Sequence, residues 1–480
     1  MCGVVVLRGV KGAYNLALSA LMNLQHRGQD GAGILTVNQN RGFQLKREPG
    51  LISNSFQPLL KNQTADAIIL NNTVALGHTR YSTVGSNDPN LLQPFIHKGA
   101  GLALAHNGNL VNFYDLKKQW VNDYESKEPV SDSSMILNLL AQKLLAKNAT
   151  SFFNAVDFVM HECIGGYAIV GVLDNGAIFG FRDPNGIRPL VLGLKTDNES
   201  VYGMASESLP LSFLGFDQFM DIKPGQAIYI DEFGQKHEKI IKESTVSPCM
   251  FEWVYFARVE STINDRAIYQ ARFDLGVNLA KVIQEKQITA DVVCCVPETS
   301  RISALALAQT LDIPYRELLI KNRYINRTFI LDSRIARAEA IEYKLFPIQS
   351  EIKDKTCIIV DDSIVRGTTA AQIVRILRKC GVKKVILAST CPPIISPCYY
   401  GLDFPDSKEL ISYQKTEQEI ARDLGANEVV FQSLQGLESS LKQKHLCTGC
   451  ISGSYPTSIE SATNFTNTRK NDRKVNEKIL

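Results

Sequence analysis

The sequence lacks a strong excess of charge of either sign. Of its 480 residues, 52 are basic and 49 are acidic, which leaves a net charge of +3. This balance gives no reason to expect binding to nucleic acid or to a membrane surface. No apolar run is long enough to span a bilayer. The short apolar stretch at residues 2–7 lacks the basic leader and cleavage pattern of a secretory signal. We therefore expect a cytoplasmic protein.

The sequence also lacks the cysteine usage of a disulfide-stabilised domain. Its 11 cysteines are odd in number and scattered along the chain. This usage is typical of a reducing compartment, in which some thiols are catalytic or bind a metal. The length of 480 residues and the hydrophobic content of 45% predict two domains with full-sized cores.

The two halves of the chain carry different patterns. The first half has short, partly alternating apolar runs separated by glycine, and segments 14–28 and 133–147 have the apolar spacing of helices. This pattern predicts sheets covered by helices, an α+β layering. In the second half, continuous β-branched runs at 291–297, 356–363 and 384–390 alternate with helical segments. That alternation predicts a parallel sheet with crossover helices, an α/β domain.

Polar segments suggest where these domains begin and end. The polar stretch 231–249 is a candidate boundary, and the chain after residue 451 is polar and weakly patterned, which predicts a disordered tail. We expect a first domain at 2–245, a second domain with a C-terminal cysteine segment at 246–451, and a tail at 452–480.

The stretch TCIIVDDSIVRGTTAAQIV (356–374) contains the most specific motif in the second half. A buried strand ends at Asp361 and Asp362, and a polar turn leads into a helix whose first N–H groups can bind an anion. Two carboxylates beside a phosphate site suit ribose hydroxyls and Mg²⁺. The alternative is an ordinary strand–turn–helix with polar caps. The candidate ligands are Asp361, Asp362, Ser363, Gly367, Thr368 and Thr369.

This stretch resembles the phosphoribosylpyrophosphate (PRPP) motif of the type I phosphoribosyltransferases. CVPETSRISALA (295–306) is similar to the family's pyrophosphate loop, and LIKNRYINRTFI (319–330) is similar to its flexible lid. Cationic side chains on such a lid can neutralise the departing pyrophosphate. The resemblance implies Mg²⁺ at Thr299, Asp361 and Asp362. It adds as PRPP-binding residues Thr299, Ser300, Lys321, Arg323, Tyr324 and Arg327.

Cys2 stands at an unusual place for a reactive thiol. Removal of Met1 would give this cysteine a free α-amine, whose reference pKa of about 7.7–8.0 suits a general base. A thiol activated by its own amine can attack a carboxamide, form a thioester and release ammonia. The alternative is a free cysteine that packs as a small hydrophobic residue.

Six further motifs accompany Cys2, and together they resemble the class II, N-terminal-nucleophile glutamine amidotransferases. The resemblance implies a layered αββα fold. It pairs Arg80 with the α-carboxylate of glutamine and Asp132 with the α-ammonium, and it places Asn107 and Gly108 in the oxyanion hole. The motifs are LQHRGQDGAGI (24–34), GHTRYSTVG (77–85), AHNGNLVN (105–112), SDSS (131–134), RDPNGIRPL (182–190) and ASES (205–208).

The two resemblances occur in the order found in the family of glutamine-dependent amidotransferases that act on PRPP. That likeness implies the committed step of purine synthesis, in which ammonia passes through an internal channel to PRPP and yields 5-phosphoribosylamine, pyrophosphate and glutamate. It also implies inhibition by purine nucleotides and a homotetramer. Two alternatives remain open: a PRPP-sensing regulator beside an inactive glutaminase, and a class II amidotransferase with another acceptor.

Four cysteines lie in polar, turn-like contexts in the second half and at its border. A Cys-x-x-Cys pair with two distant thiols can hold Zn²⁺ or a [4Fe–4S] cluster, and spacing alone does not choose between them. One branch of the resembled family binds a [4Fe–4S] cluster at matching positions, which implies the ligands Cys249, Cys398, Cys447 and Cys450.

The sequence departs from that family at three places. Only Met1 precedes Cys2, whereas cluster-binding members often carry a short propeptide. Ser134 stands where many relatives have Glu, and the segment 331–347 keeps only the KL core of the family's basic stretch.

Overall fold

A computed structural model describes residues 1–38, 42–56, 72–81, 89–123, 131–322, 345–404, 406–462 and 466. The described residues divide into two compact units. Unit 1 draws on Met1–Cys249, Cys398–Pro405 and Tyr455–Leu480, and unit 2 draws on Met250–Pro397 and Asp406–Ser454. The chain therefore returns to unit 1 twice after its first 249 residues.

Unit 1 contains two antiparallel sheets and several helices. Its elements are β1 (Gly3–Arg8), α1 (Ala13–Asn23), β2 (Gly31–Val37), β3 (Phe43–Pro49), α2 (Ile52–Ser55), β4 (Val74–Arg80), β5 (Phe95–His97), β6 (Leu102–Leu110), α3 (Phe113–Asp123), α4 (Asp132–Lys143), α5 (Ala149–Glu162), β7 (Gly165–Leu173), β8 (Ile178–Arg182), β9 (Val191–Lys195), β10 (Asn198–Ala205), α6 (Ser208–Phe213), β11 (Gln218–Asp221), β12 (Gln226–Ile230) and β13 (Lys236–Ile240).

The two sheets of unit 1 pack face to face with helices outside them. The strand order is β11-β9-β10-β1-β4-β2-β3 in the first sheet and β13-β12-β8-β7-β6-β5 in the second. Strand β1 explains the layering, because its successive side chains point to opposite faces. Val4 and Val6 join the core between the sheets, whereas Val5 and Leu7 join the core under α1. The second sheet buries its other face against α3, α4 and α5. The predicted layered fold is confirmed.

Unit 2 is built around a parallel sheet. Its elements are β14 (Thr262–Ile263), β15 (Arg266–Ala267), α7 (Ile268–Glu285), β16 (Val292–Cys295), α8 (Arg301–Leu311), β17 (Leu319–Lys321), β18 (Leu345–Pro347), α9 (Gln349–Ile352), β19 (Thr356–Asp361), α10 (Thr368–Lys379), β20 (Lys384–Ser389), α11 (Glu417–Leu424), β21 (Glu428–Phe431), α12 (Leu434–Leu441) and α13 (Gly449–Ser452).

The central sheet of unit 2 has the order β16-β19-β20-β21, with parallel pairing throughout. Strand β19 is apolar on both faces: Cys357 and Ile359 pack towards α10 and α11, and Ile358 and Val360 pack towards α7 and α8. A strand buried on both sides needs this continuous apolar run. The expected α/β domain is confirmed.

Two polar segments carry structure that the sequence-based expectations did not include. The polar stretch 231–249 contains a strand, β13, which pairs with β12 in unit 1. Within 452–480, for which the sequence predicts a disordered tail, the described Tyr455 lies against Tyr399 in a tilted arrangement, with 4.9 Å between ring centroids. The polar composition did not predict these contacts, because an edge strand and a packed terminal segment each keep one face in water.

No helix among the described residues is both long and apolar enough to cross a membrane.

Candidate active sites

Cys2 lies immediately before the central strand of a seven-stranded sheet. The neighbouring strands hold this end of the chain: Gly3 N–H donates to Thr79 Oγ1 (3.2 Å) and Val4 N–H donates to Ser206 Oγ (3.0 Å). The Cys2 thiol lies 3.8 Å from the carbonyl oxygen of Tyr81. Burial raises the pKa of this thiol. A neutral thiol in this position needs a nearby base to become a nucleophile.

A pocket in unit 1 collects most of the residues that the first half of the sequence predicted. Its lining includes Cys2, Arg80, Gly108 and Asp132. Arg80 ends β4 and is 6% exposed, whereas Asp132 opens α4. A thiol, a guanidinium and a carboxylate around one pocket can hold a molecule that carries both an anionic and a cationic group.

Asn107 and Gly108 sit next to each other on β6. Asn107 is completely buried, and neither its amide nitrogen nor its amide oxygen has a hydrogen-bond partner among the described residues. Such a group is costly to bury unless a ligand completes its hydrogen bonds. Gly108 has φ +145°, and an added Cβ would lie 2.0 Å from the Gly166 carbonyl oxygen. Only glycine fits this position.

The start of α4 fixes the carboxylate of Asp132. Ser131 caps the helix by accepting from Ser134 N–H (3.2 Å), and Ser134 Oγ accepts in return from Ser131 N–H (2.9 Å). This reciprocal pair is a capping box. Ser134 therefore takes the capping role that a Glu could fill at the same position, and the departure noted in the sequence leaves this contact intact.

Motif matching missed a polar network in the lining of the pocket. Gln93 Oε1 accepts from the backbone N–H of His106 (2.7 Å), and Gln93 Nε2 donates to Ser133 Oγ (3.0 Å). The ring Nδ1 of His106 lies 3.0 Å from the same hydroxyl. Burial lowers the pKa of His106, which favours the neutral ring. His106 stood inside a quoted motif, whereas no sequence signal marked Gln93.

Two other motifs meet at a buried carboxylate. Glu207 is fully buried and pairs with Arg27 Nε and with His26 Nε2, the latter at 2.7 Å. Gly28 follows this pair because an added Cβ would come within 2.5 Å of the Arg80 carbonyl carbon. The HRG turn thus packs directly behind Arg80, which explains its place next to the pocket.

The second candidate site lies at the carboxyl edge of the parallel sheet in unit 2. Strands β16 and β19 are parallel neighbours, with Cys295 opposite Val360, so the loops that follow them leave from the same edge. Asp361 ends β19, and Asp362 follows it directly. Gly367 then opens α10 with φ +75°.

The two acidic residues at this edge are buried, which disfavours their charged forms. Burial, together with the neighbouring Asp362 carboxylate, raises the pKa of Asp361 well above its usual value. Burial raises the pKa of Asp362 to about 6. Two adjacent carboxyls that resist ionisation are a favourable place for a divalent cation, which removes the repulsion between them.

The remaining predicted PRPP residues fall into three groups. Thr299 and Ser300 precede α8 in the loop after β16, and the Ser300 hydroxyl lies 2.8 Å from the carbonyl oxygens of both Val296 and Val360. Ser300 therefore ties its loop to β19. Lys321 ends β17 with an exposed side chain. Arg323, Tyr324 and Arg327 lie outside the described residues, as does most of the segment 331–347.

The four predicted cluster ligands divide between the units. Cys249 and Cys398 belong to unit 1, whereas Cys447 and Cys450 belong to unit 2. All four are buried, and none of the chain's 11 cysteines is in a disulfide. In the part of the chain that the structure describes, no three His, Cys, Asp or Glu side chains are gathered so that they could hold a metal ion.

Known families match both halves of the chain. A glutamine amidotransferase domain model matches residues 64–250, and a phosphoribosyl transferase domain model matches residues 267–418. Together with the two sites, these matches define an enzyme that joins a glutamine amidotransferase to a phosphoribosyltransferase.

Whole-length relatives make the assignment specific. The amidophosphoribosyltransferase of Escherichia coli K12 is 40% identical over 457 residues, which cover 93% of this chain and 89% of that protein. A structure of the glutamine PRPP amidotransferase of B. subtilis, complexed with ADP and GMP, is 33% identical with a TM-score of 0.83 and covers 95% of this chain and 98% of that one. A second structure, of the allosteric regulatory enzyme of purine biosynthesis, is 33% identical with a TM-score of 0.86 and covers 98% and 99%. The chain belongs to the amidophosphoribosyltransferase family, which transfers nitrogen from glutamine to PRPP.

Proposed function

We propose that this amidophosphoribosyltransferase hydrolyses glutamine at Cys2 and passes the ammonia to PRPP, the first committed step of purine synthesis. The observation that carries the residue assignment is the buried amide of Asn107, which lies beside Gly108 on β6 in the same unit as the Cys2 pocket and has no hydrogen-bond partner among the described residues. An amide without partners has hydrogen-bonding capacity reserved for a ligand. A tetrahedral oxyanion formed at Cys2 is the ligand that this reaction supplies.

The thiol chemistry begins when Met1 has been removed. The α-amine of Cys2 accepts the thiol proton, and Sγ attacks the carboxamide carbon of glutamine to form a C–S bond. The Asn107 amide and the Gly108 N–H stabilise the oxyanion. The same amine then protonates the amide nitrogen, which leaves as ammonia while the thioester forms. Water hydrolyses the thioester to glutamate and restores the thiol.

Substrate selection follows from the charges in the pocket. In this proposal, Arg80 pairs with the α-carboxylate of glutamine and Asp132 with its α-ammonium. The buried Arg27–Glu207 pair supports the backbone behind Arg80, and the Ser131–Ser134 capping box supports Asp132. Binding both charged groups of an amino acid leaves the side-chain carboxamide to reach the thiol.

Ammonia then attacks C1 of PRPP and pyrophosphate leaves, which gives 5-phosphoribosylamine. We assign the ribose hydroxyls to Asp361 and Asp362, and the 5-phosphate to the turn that begins α10. This turn contributes Ser363, Gly367, Thr368 and Thr369. We assign the pyrophosphate to the loop with Thr299 and Ser300 and to a cationic lid that contains Lys321, Arg323, Tyr324 and Arg327.

Two metal groups belong to the proposal. Mg²⁺ fits the oxygen donors Thr299, Asp361 and Asp362, and when bound it would neutralise the pyrophosphate leaving group. A [4Fe–4S] cluster fits the donor chemistry of Cys249, Cys398, Cys447 and Cys450, because all four thiols are buried and Cys398 Sγ accepts the N–H of Tyr400 (3.4 Å). The cluster is assigned a structural role, and no catalytic step uses it.

Regulation and assembly are carried over from the relatives. The B. subtilis relative was solved with ADP and GMP bound, and we propose inhibition of this enzyme by purine nucleotides, a homotetramer and a cytoplasmic location. Inhibition assays with purine nucleotides and the mass of the native assembly in solution test the first two points.

One assay tests the main proposal. Purified enzyme is given glutamine, PRPP and Mg²⁺, and glutamate and pyrophosphate are measured together. We expect equal amounts of the two products, with pyrophosphate formed only when PRPP is present. Glutamate release without pyrophosphate would assign another acceptor. For the cluster, anaerobically purified protein should be brown and contain about four iron atoms per chain; colourless protein that contains zinc would refute it.

A further inference from the structure

A short part of the chain from its second half forms part of the glutaminase unit. Residues Cys398–Phe404, here called the return segment, belong to unit 1 by their contacts. The segment is a closed loop, because the N–H of Cys398 donates to the carbonyl oxygen of Phe404 (3.1 Å). Cys398 at its start is a proposed cluster ligand, but none of the proposed catalytic steps uses the segment.

The return segment packs against the strand that carries the proposed oxyanion hole. Gly401 lies so close to Gly108 that an added Cβ would be 3.3 Å from the Gly108 carbonyl oxygen and 3.6 Å from its Cα. One residue further along β6, the Asn109 side-chain nitrogen donates to the carbonyl oxygen of Tyr399 (2.8 Å), a contact between residues 290 positions apart. Gly108 and Asn109 both line the Cys2 pocket.

A buried arginine also holds the same segment. The Nε of Arg188, a fully buried residue, donates to the carbonyl oxygen of Tyr400 (2.9 Å), and its Nη2 donates to that oxygen as well. Tyr400 is 1% exposed, and its hydroxyl lies 2.8 Å from Thr457 Oγ1. The backbone behind Gly108 is therefore fixed by charge-assisted hydrogen bonds and by packing.

We propose that the return segment is a positioning element for the oxyanion hole. Gly108 pairs with Tyr167 across β6 and β7, but it has no side chain and a φ of +145°, so the direction of its N–H also depends on what packs against its backbone. Gly401 limits how the Gly108 backbone can turn, and Asn109 and Arg188 fix Gly401 through the neighbouring peptides. Oxyanion donors act only when they are aimed correctly. This inference rests on the proposed role of Gly108.

The substitution Gly401→Ala tests the contact directly. Its Cβ would press on the Gly108 carbonyl, and we expect kcat for glutamine hydrolysis to fall about tenfold to a hundredfold, with KM for glutamine changed less than about threefold. The reaction of PRPP with free ammonia should keep its rate. Gly176→Ala is the matched control, because Gly176 also has a positive φ (+89°) but nothing lies within 4 Å of its added Cβ.

A second measurement separates positioning from general loosening. Glutamate γ-semialdehyde adds the Cys2 thiol to its carbonyl carbon and forms a tetrahedral hemithioacetal whose oxygen occupies the oxyanion hole, whereas glutamate binds without this adduct. We expect Gly401→Ala to weaken binding of the aldehyde by the same factor by which it lowers kcat. The inhibition constant of glutamate should stay unchanged. Arg188→Lys, which loses the forked contact with Tyr400, should change both quantities in the same direction.

The outcomes distinguish this inference from the proposed function. Equal weakening of aldehyde and glutamate, or wild-type kcat in Gly401→Ala, would overturn the positioning role. If Cys2→Ala retains glutamine hydrolysis, or if the aldehyde binds wild-type enzyme no more tightly than glutamate does, the proposed function itself is wrong.

Discussion

The two candidate sites of this enzyme are built in opposite ways. In unit 2, the acidic pair and the phosphate turn come from one continuous stretch, 356–374, at the edge of a parallel sheet. In unit 1, Cys2, Arg80, Gly108 and Asp132 come from four separate elements and meet at one pocket. The first site is a local motif, and the second exists only after the two sheets have packed.

The two sites also destabilise the unliganded fold in different ways. Next to Gly108 of the Cys2 pocket, the Asn107 amide has no hydrogen-bond partner among the described residues, and the edge of the sheet in unit 2 holds two carboxyls whose pKa values are raised. Each is a cost to folding that a bound substrate or cation relieves. The cost is one neutral side chain in the first case and two acidic groups in the second, so the two sites should respond differently to substitution and to pH.

The largest expected effect separates the two sites completely. Cys2→Ala removes the proposed nucleophile, and we expect glutamine-dependent activity to fall by more than about 10⁴-fold. The activity with free ammonia should stay within about threefold of wild type, since ammonia bypasses the thiol. Parallel assays with the two nitrogen sources make the measurement, and equal loss of both activities would contradict independent sites.

The second effect isolates the oxyanion hole. Asn107→Ala should lower kcat for glutamine about 10²–10³-fold, as expected for the loss of one oxyanion donor, and leave the ammonia reaction intact. Asn107→Asp is the shape-matched comparison, because it puts a carboxylate opposite the oxyanion and should be at least as slow. A wild-type kcat in Asn107→Ala would remove this residue from the mechanism.

The third effect concerns the acidic pair and carries opposite signs for activity and stability. Asp362→Asn should lower activity with either nitrogen source about a hundredfold, because a proposed ribose and cation ligand is lost. A raised pKa means that the folded protein prefers the protonated carboxyl, so ionisation costs stability above a pH of about 6 and costs nothing below a pH of about 4. The variant should therefore be more stable than wild type by about 1–3 kcal/mol at pH 7.5.

Denaturant unfolding at two pH values checks this prediction. The stability gain of Asp362→Asn should disappear at pH 4, where the wild-type carboxyl is protonated as well. In wild type, the affinity for Mg²⁺ with PRPP should fall as the pH decreases through about 6, since protons compete with the cation. Phosphate groups titrate in the same range, so the variant is the reference. A gain of equal size at both pH values would point to a cause other than the charge.

The smallest effect tests the support of Asp132. Ser134→Ala removes the return contact of the capping box, and we expect KM for glutamine to rise about two- to fivefold, which corresponds to about 0.5–1 kcal/mol. Ser134→Glu restores an acceptor for the Ser131 N–H and should remain close to wild type. A rise in KM of the same size in both variants would mean that position 134 acts by size and not by capping.

The contrast between the sites also explains how far the sequence could be interpreted. The PRPP motif was local, so strand, turn and helix could be placed from 356–374 alone. The candidate residues of unit 1 were proposed from motif resemblance, and only long-range contacts bring them to one pocket. No sequence motif marked Gln93, because its hydrogen bonds with His106 and Ser133 form only in the folded protein.

Element ends show the same limit. The apolar pattern predicted a helix over 14–28, whereas α1 ends at Asn23. The chain must leave the helix there, because Arg27 is needed at Glu207 and Gly28 against the Arg80 backbone. The return of Cys398–Phe404 to unit 1 was likewise invisible, since the contact of Asn109 with Tyr399 depends on a backbone carbonyl that any residue could supply.

The position of β1 in the sheet determines when Met1 is accessible during protein synthesis. Its neighbours in the sheet are β4 and β10, and β10 ends at Ala205, so translation at about 5–20 residues per second delivers the last neighbour roughly 10–40 s after β1. In the finished fold, Met1 is only 2% exposed. In the proposed mechanism an aminopeptidase must remove this residue, and it can reach Met1 only while the first strand is still unpaired. If this proposal holds, activation accompanies protein synthesis, and a chain that folds with Met1 in place would be unable to use glutamine.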